Sequence, residues 1–267
     1  MLRMNAGYIC NLYAKLLKYG HKLVLRRSQS GIRTGGIVKI APNTKKALLL
    51  IFVCALLSYP LTGWTAEKHH QTSLSQQRFN EIQKWVDIFE DPARAEWQKP
   101  EAVVQKLELK PGDIVADIGA GTGYFTRLFA IAVGHKGKAI GLDIEPAMVD
   151  YMKEDAKKRG LTNYEARVVK PDDAGLPLKS VDVVFICNTY HHIEDRVNYL
   201  KKLTGALKPN GRIVIVDFYK KPLPVGPQSV AHKISEEDVK KEFKKAGYRL
   251  KKSLDFLPYQ YYLEFSL

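Results

Sequence analysis

The sequence predicts an α/β protein: a doubly wound, seven-stranded sheet with helices on both faces, preceded by a helical cap and a hydrophobic leader. Three observations carry the prediction. Short apolar runs alternate with segments whose apolar residues recur every three or four positions. The first strand-to-helix junction is a glycine-rich turn, VADIGAGTGYF, from Val115 to Phe125. Acidic residues recur where the apolar runs end, which is where ligands bind in open parallel sheets.

Taken in order, TKKALLLIFVCALLSYPLTGW places two lysines before eleven uninterrupted apolar residues, Ala47–Leu57. This reads as an export signal or a short membrane anchor over 47–66, behind a basic tail over 1–46. A cleavage site ending at Ala66 would set bulky Trp64 where a small residue is preferred, so an uncleaved anchor stays open, as do a buried core helix and an upstream extension that is never translated. Residues 67–77 are polar and read as a linker to a domain over 78–267. From Arg78 to Leu107 the apolar spacing is helical, with breaks at Pro92 and Pro100, and predicts the cap. DIVADIG, KAIGLDI, YEARVV, SVDVVFICN and GRIVIVDF read as strands; YFTRLFAIAV, PAMVDYMKEDAKKR and DRVNYLKKLTGAL read as the helices between them. Ser235 opens a further helix through a capping-box pattern ending at Asp238, and YRLKKSLDF and YQYYLEF complete the seven strands.

Charge narrows the partners. The 267 residues carry a formal net charge of +14, but no Asp or Glu precedes Glu67, and beyond residue 66 there are 32 basic against 28 acidic residues. The excess belongs to the leader, and the domain lacks the clustered arginines and interleaved aromatics of a nucleic-acid binder. Three cysteines at irregular spacings indicate neither a disulfide framework nor a metal site, and Cys187, closing a strand, reads as a buried small hydrophobe.

The glycine turn selects the ligand. A dinucleotide site requires G-x-G-x-x-G; Gly119 and Gly121 fit, but Tyr124 stands where the third glycine belongs and Gly123 comes one residue early. With Asp117 before it, the turn instead reads D-x-G-x-G-x-G and resembles that of class I S-adenosylmethionine-dependent methyltransferases, in particular the methyltransferase-11-like group with its ubiquinone-biosynthesis and arsenite methyltransferase relatives. The likeness is close from Val115 to Phe218. It implies a Rossmann-like methyltransferase fold with the last strand antiparallel, and S-adenosyl-L-methionine as cofactor.

The resemblance also implies a binding set. Gly119, Ala120, Gly121 and Gly123 would line the cofactor, with Asp117 facing the amino group of its methionine end. Asp143, in GLDIEP and 24 residues beyond Gly119, would accept the ribose hydroxyls, with Ile144 beside it. Asp172, in KPDDAGLPL, would accept from the adenine amino group while Asp173 lends its backbone N–H. The bland readings are that Asp143 is a helix N-cap and Asp172 a turn residue. Asn188 would flank the cofactor after the fourth strand, and Trp97 and Gln98 would close over it from the cap.

Methyl transfer from a sulfonium is an in-line displacement that needs a positioned nucleophile and, for oxygen or nitrogen acceptors, a base. In CNTYHHIEDR, His191 and His192 are the candidates for that base, against the plainer alternatives of a pocket contact or loop packing. The pair lacks the further ligands a metal would need. VDFYKKPLPVGP and the tyrosines Tyr259, Tyr261 and Tyr262 border the acceptor pocket or, for the tyrosines, pack in strand alternation. The expected activity is therefore methyl transfer to a small-molecule or lipid acceptor, with membrane association through residues 47–64; the alternatives are a nicotinamide-dependent oxidoreductase and a non-catalytic cofactor-binding module. An export signal would carry the domain away from the compartment where S-adenosylmethionine is made, so a cytoplasmic location holds if the leader is not translated.

Overall fold

In the computed structural model, residues 82–267 are described; the basic tail, the apolar run, the linker and the boundaries expected at 46, 66 and 77 lie outside them. Seven strands form one sheet: β1 (Ile114–Ile118), β2 (Lys138–Asp143), β3 (Tyr164–Val168), β4 (Val181–Cys187), β5 (Leu207–Phe218), β6 (Arg249–Leu254) and β7 (Gln260–Ser266). Their spatial order is β3-β2-β1-β4-β5-β7-β6. All neighbours pair in parallel except β7, which is antiparallel to both β5 and β6.

The central strands read as continuous apolar runs because both faces are covered. Ala116, Val184, Ile213 and Ile215 enter one core layer; Val115, Val183, Phe185 and Val214 enter the other. Each fully buried Val, Ile or Phe among them contributes roughly 1.5–3 kcal/mol of apolar burial. The helices between the strands are α4 (Tyr124–Val133), α5 (Pro146–Arg159), α6 (Arg196–Ala206) and α7 (Glu236–Lys245). Pro146 opens α5 at its first position, where the missing N–H costs nothing, and Ser235 caps α7 by accepting from Asp238 N at 3.1 Å. Tyr261 and Tyr262 are buried in opposite layers, as strand alternation requires.

Before β1 the cap comprises a helix over 82–89 (α1), α2 (Arg94–Gln98) and α3 (Pro100–Lys106), interrupted at Pro92 and Pro100 as their missing N–H groups dictate. One boundary differs from expectation. KPNG lies inside the span of β5, which pairs Val181 with Leu207 and then Val183 with Arg212; Asn210, at φ +66, accommodates the irregularity. Among the described residues no helix is long and apolar enough to cross a membrane.

Chain order reverses between β1 and β4, and it is beyond the C-terminal ends of such strands that open parallel sheets bind their ligands. Since β7 runs the other way, its first residue, Gln260, pairs with Phe218 at the end of β5 and reaches the same edge.

Candidate active site

The turn between β1 and α4 is shaped by close approach. Gly119 has φ +69, and a Cβ there would stand 2.3 Å from the Thr189 side chain; Gly123 has φ +75, and a Cβ would stand 1.7 Å from Tyr164 Oη. Neither position admits a side chain. The amides of Gly119 and Ala120 donate to Leu142 O at 2.8 and 3.1 Å, which fastens the turn to β2. Gly121 N donates to Asp143 Oδ2 at 2.8 Å and Glu145 N donates to Oδ1 at 2.9 Å. The carboxylate at the tip of β2 thus braces the turn. Burial raises its pKa, and those backbone donors oppose the rise. The N-cap of α5 is Glu145 rather than Asp143, and neighbouring Ile144 leaves 44% of its surface exposed.

Asp117, at the end of β1, is buried and accepts from Thr126 Oγ1 at 2.6 Å. Burial pushes its pKa up to about 7, with the Thr126 hydroxyl and the Arg94 guanidinium pulling it back. The cap closes over this region. Arg127 of α4 grips Glu90 through two hydrogen bonds of 2.7 and 2.6 Å, Phe89 lies 3.3 Å from where a Gly121 Cβ would be, and Arg94 stacks 4.3 Å above the Tyr124 ring. Gln98 is fully buried, donating to Cys187 Sγ at 3.1 Å and Gln260 Oε1 at 3.2 Å; Gln260 in turn donates to Asn188 Oδ1. This amide chain joins the cap to the ends of β4 and β7. Trp97 packs on Phe218 with ring centroids 5.8 Å apart.

After β4, His191 Nδ1 lies 2.9 Å from both carboxylate oxygens of Asp217, with side-chain exposures of 3% and 1%. Its Nε2 is buried and has no partner. Asp217 is itself held by Phe218 N at 2.8 Å. His192 stacks beside His191, centroids 4.1 Å apart, on the exposed side of the loop.

The structure therefore brings together Asp117, Gly119, Ala120, Gly121, Gly123, Asp143, Asn188 and His191 along one edge of the sheet. Asp172 and Asp173 lie on the loop that follows β3. The Asp172 carboxylate is 74% exposed and pairs with Lys202 on α6 at 3.0 Å, because the basic face of that helix runs alongside its loop. Asp173 N already donates to Lys170 O at 3.2 Å, and its carboxylate accepts from Gly175 N at 2.9 Å, so this residue builds the turn. Three residues escaped the sequence reading: Asp217, Arg94 and Gln260. For Asp217 the signal is an acid ending a buried strand, IVIVDF; the other two carry none.

A groove of about 900 Å³, lined by Lys179, Lys208, Arg212 and Lys251, lies at the opposite edge of the sheet, where β5 begins and β7 ends, away from every one of these groups. Among the described residues no three His, Cys, Asp or Glu side chains are grouped to hold a metal ion.

Comparison with known proteins agrees with this fold. A family model for a methyltransferase domain matches residues 109–253, and the chain belongs to that family. A SAM-dependent methyltransferase from Aquifex aeolicus, known from its crystal structure, is 30% identical with a TM-score of 0.65, over 70% of this chain and 96% of its own. The demethylmenaquinone methyltransferase of Lactobacillus johnsonii is 33% identical over 48% of this chain and 52% of its own. The ubiquinone/menaquinone biosynthesis C-methyltransferase UbiE of Hydrogenovibrio crunogenus is 26% identical over 44% of this chain and 46% of its own. The chain thus matches these curated relatives over about half of their length. Within this class the cofactor is S-adenosylmethionine, and the oxidoreductase alternative gives way.

The side chains fit that cofactor. Asp117 and Asp143 supply carboxylates on either side of the glycine turn, the first held by Thr126 and the second by the Gly121 and Glu145 amides.

Proposed function

We propose that this chain methylates a ring carbon of a small hydroxylated aromatic acceptor of the quinol type. The observation that carries the proposal is the His191–Asp217 pair, whose second ring nitrogen, Nε2, is buried without a partner. When bound, S-adenosylmethionine supplies an electrophilic methyl group on a sulfonium and departs as a neutral thioether, so the protein needs a base and no acid.

Asp217 fixes the imidazole with the proton on Nδ1 and Nε2 free to accept, and it stabilises the imidazolium once a second proton arrives. Nε2 takes the acceptor's hydroxyl proton, and the charge left on oxygen makes the adjacent ring carbon nucleophilic. The methyl group would pass from sulfur to that carbon; the ring carbon's proton would then leave to water, and the His191 imidazolium would return its proton to the oxygen, restoring the aromatic hydroxyl and the free base. Asp143, with Ile144 beside it, would accept the ribose hydroxyls, Asp117 would hold the amino group, and the backbone from Gly119 to Gly123 would line the cofactor. Asn188, held by Gln260, borders the methyl end. Asp172 and Asp173, on the loop after β3, would meet the adenine end of the cofactor, and His192 flanks the base.

Trp97 and Phe218 offer an aromatic wall for a flat ring, and the relatives named for ubiquinone and menaquinone biosynthesis support a quinone-type acceptor. An apolar acceptor also accords with the Ala47–Leu57 run, proposed here as a membrane tether. The test supplies S-adenosylmethionine with a short-chain naphthoquinol or with a phospholipid and identifies the product by mass spectrometry. Ring methylation of the naphthoquinol is expected. Headgroup methylation instead would replace the acceptor, and bound cofactor without turnover on either would leave a binding module.

A further inference from the structure

Two irregularities of the sheet fall at one place. The pairing of β5 with β4 breaks between Leu207 and Arg212, which leaves Lys208 to Gly211 outside the ladder, and the pairing of β6 with β7 skips Lys251 between Leu250 and Lys252. Consecutive side chains of an unbroken strand take opposite faces. Here Lys251 and Lys252 both line the groove at the far edge of the sheet, with Lys208 and Arg212 of β5 and Lys179 of the loop before β4. Bulges re-aim side chains in this way, and they bring cations from three segments into one concavity.

These cations are unequally matched by acids. Lys208 meets Asp182 at 2.6 Å and Lys252 meets Glu108 at 2.9 Å, whereas Lys179 and Lys251 make no ion pair among the described residues. Lys179 is fixed at its backbone, with φ +49 and an amide that donates to Gly205 O at 2.8 Å. Glu264, the one acidic side chain of the groove, is 8% exposed, and its Oε2 is buried without a hydrogen bond. That oxygen stands 3.7 Å from Arg212 Nε and 3.8 Å from Lys252 Nζ. Glu264 therefore gathers two cations without consuming their donors; Arg212 gives Nη2 to Leu107 O and keeps Nε unspent.

A volume of about 900 Å³ is that of a small-molecule site. Cations on separate walls suit an anion whose charges are spread along its length better than a single ion. We propose that the groove binds a soluble small molecule carrying two or more linked phosphates, with Lys179 and Lys251 as its charge contacts and Arg212 Nε as a further donor. Arg212 lies near the start of β5 and Asp217 near its end, so this site is separate from the methyl-transfer site.

Isothermal titration of the full chain with inorganic tripolyphosphate, and with orthophosphate for comparison, tests the site. The segment before Glu67 is basic and attracts polyanions by itself, so the readout is the difference between two variants of equal charge. One is Lys179→Gln with Lys251→Gln; the other is Lys153→Gln with Lys158→Gln, on exposed turns of α5. At physiological salt, wild type and the α5 variant are expected to bind tripolyphosphate at least about 10-fold more tightly than the groove variant, the worth of one charge-assisted hydrogen bond. Wild type is expected to favour tripolyphosphate over orthophosphate by about the same factor. Lys179→Arg with Lys251→Arg is expected to keep the affinity, since the charges remain. Equal binding by the two glutamine variants overturns the inference, and so does equal affinity of wild type for the two anions. Loss of binding in the arginine variant overturns it too, for the effect then comes from the fold and not from charge. Retention on phosphatidylserine vesicles that only the groove variant loses, without a difference towards tripolyphosphate, assigns the surface to lipid headgroups and overturns it as well.

Discussion

His191 Nδ1 stands 2.9 Å from each carboxylate oxygen of Asp217, across the ends of two adjacent parallel strands. That symmetric contact leaves one tautomer and one direction for the imidazole. Asp217→Asn and His191→Gln are expected to lower kcat by about 10²- to 10⁴-fold, the usual worth of general-base catalysis, with cofactor affinity little changed. His192→Gln, on the exposed side of the loop, is expected to cost less than about fivefold on the same scale. Steady-state kinetics beside calorimetric titration with S-adenosylmethionine decide the matter; a parallel loss of cofactor affinity in the Asp217 variant would make the pair structural.

Asp143 links the glycine turn to the tip of β2 through the Gly121 amide. Asp143→Ala is expected to weaken cofactor binding by about 1.5–3 kcal/mol, as loss of a hydrogen-bonded charge does, and to leave Gly121 N without its acceptor. Asp143→Asn keeps an acceptor oxygen and is expected to lose less. Titration of both variants tests this, and wild-type affinity in Asp143→Ala would remove the ribose assignment.

Asp117, with its pKa raised from 3.8 to about 7 mainly by burial, makes stability fall with pH. The folded protein holds this proton where the unfolded chain has released it. The contribution is therefore complete below pH 3.8, is lost as pH rises to about 7, and is gone above. In thermal melts of the ligand-free protein between pH 5 and 8, Asp117→Asn is expected to show a flatter profile than wild type. A cationic ammonium brought to Asp117 favours the ionised form, so cofactor binding near pH 6 is expected to release a proton and to tighten towards pH 8. Titration heats that do not depend on the buffer's ionisation enthalpy would contradict this.

Gly123 begins α4 at φ +75 against the Tyr164 hydroxyl. Gly123→Ala is expected to destabilise the fold by about 1–3 kcal/mol through backbone strain alone, with the contact to Tyr164 adding to it. Gly134, at φ +66 with open space at its Cβ position, offers the comparison, since an alanine there meets only the backbone cost. Denaturant midpoints of the two variants measure the difference.

Glu90 and Arg127 close the cap over the same turn. Burial alone would raise the Glu90 pKa and lower that of Arg127, yet their paired hydrogen bonds reverse both shifts. Glu90→Gln is expected to cost about 1–3 kcal/mol, less than for a wholly buried pair because Glu90 keeps some solvent contact. Faster proteolysis confined to the segment before Ile114, alongside weaker cofactor binding, is the expected signature.

Much of this architecture is legible in the chain. Strands such as VDVVFIC and helices such as PAMVDYMKEDAKKR stand out because burial on two faces and burial on one stripe impose different periods. The glycine turn is equally plain, since few sequences require three positive φ values in five residues. The site was harder to read where its parts come from afar. Asp217 lies 26 residues from His191, and an acid closing an apolar strand has no motif. Arg94 sits in a polar stretch whose meaning comes only from the contact its guanidinium makes with Tyr124, 30 residues on. The surface pair that Asp172 makes with Lys202, 30 residues on, has no signal in the sequence either.

The reversed strand β7 has a consequence for how the molecule comes to be made. Edge strand β6 touches the sheet only through β7, so the C-terminal hairpin has to dock against β5 as one piece. Until it does, Ile213 and Ile215 lie along an unpaired β edge open to other chains, and Gln260 is missing from the site. A nascent polypeptide halted before Arg249 would therefore be prone to self-association as well as unable to work, and a chaperone that shields that edge would raise the yield of competent protein.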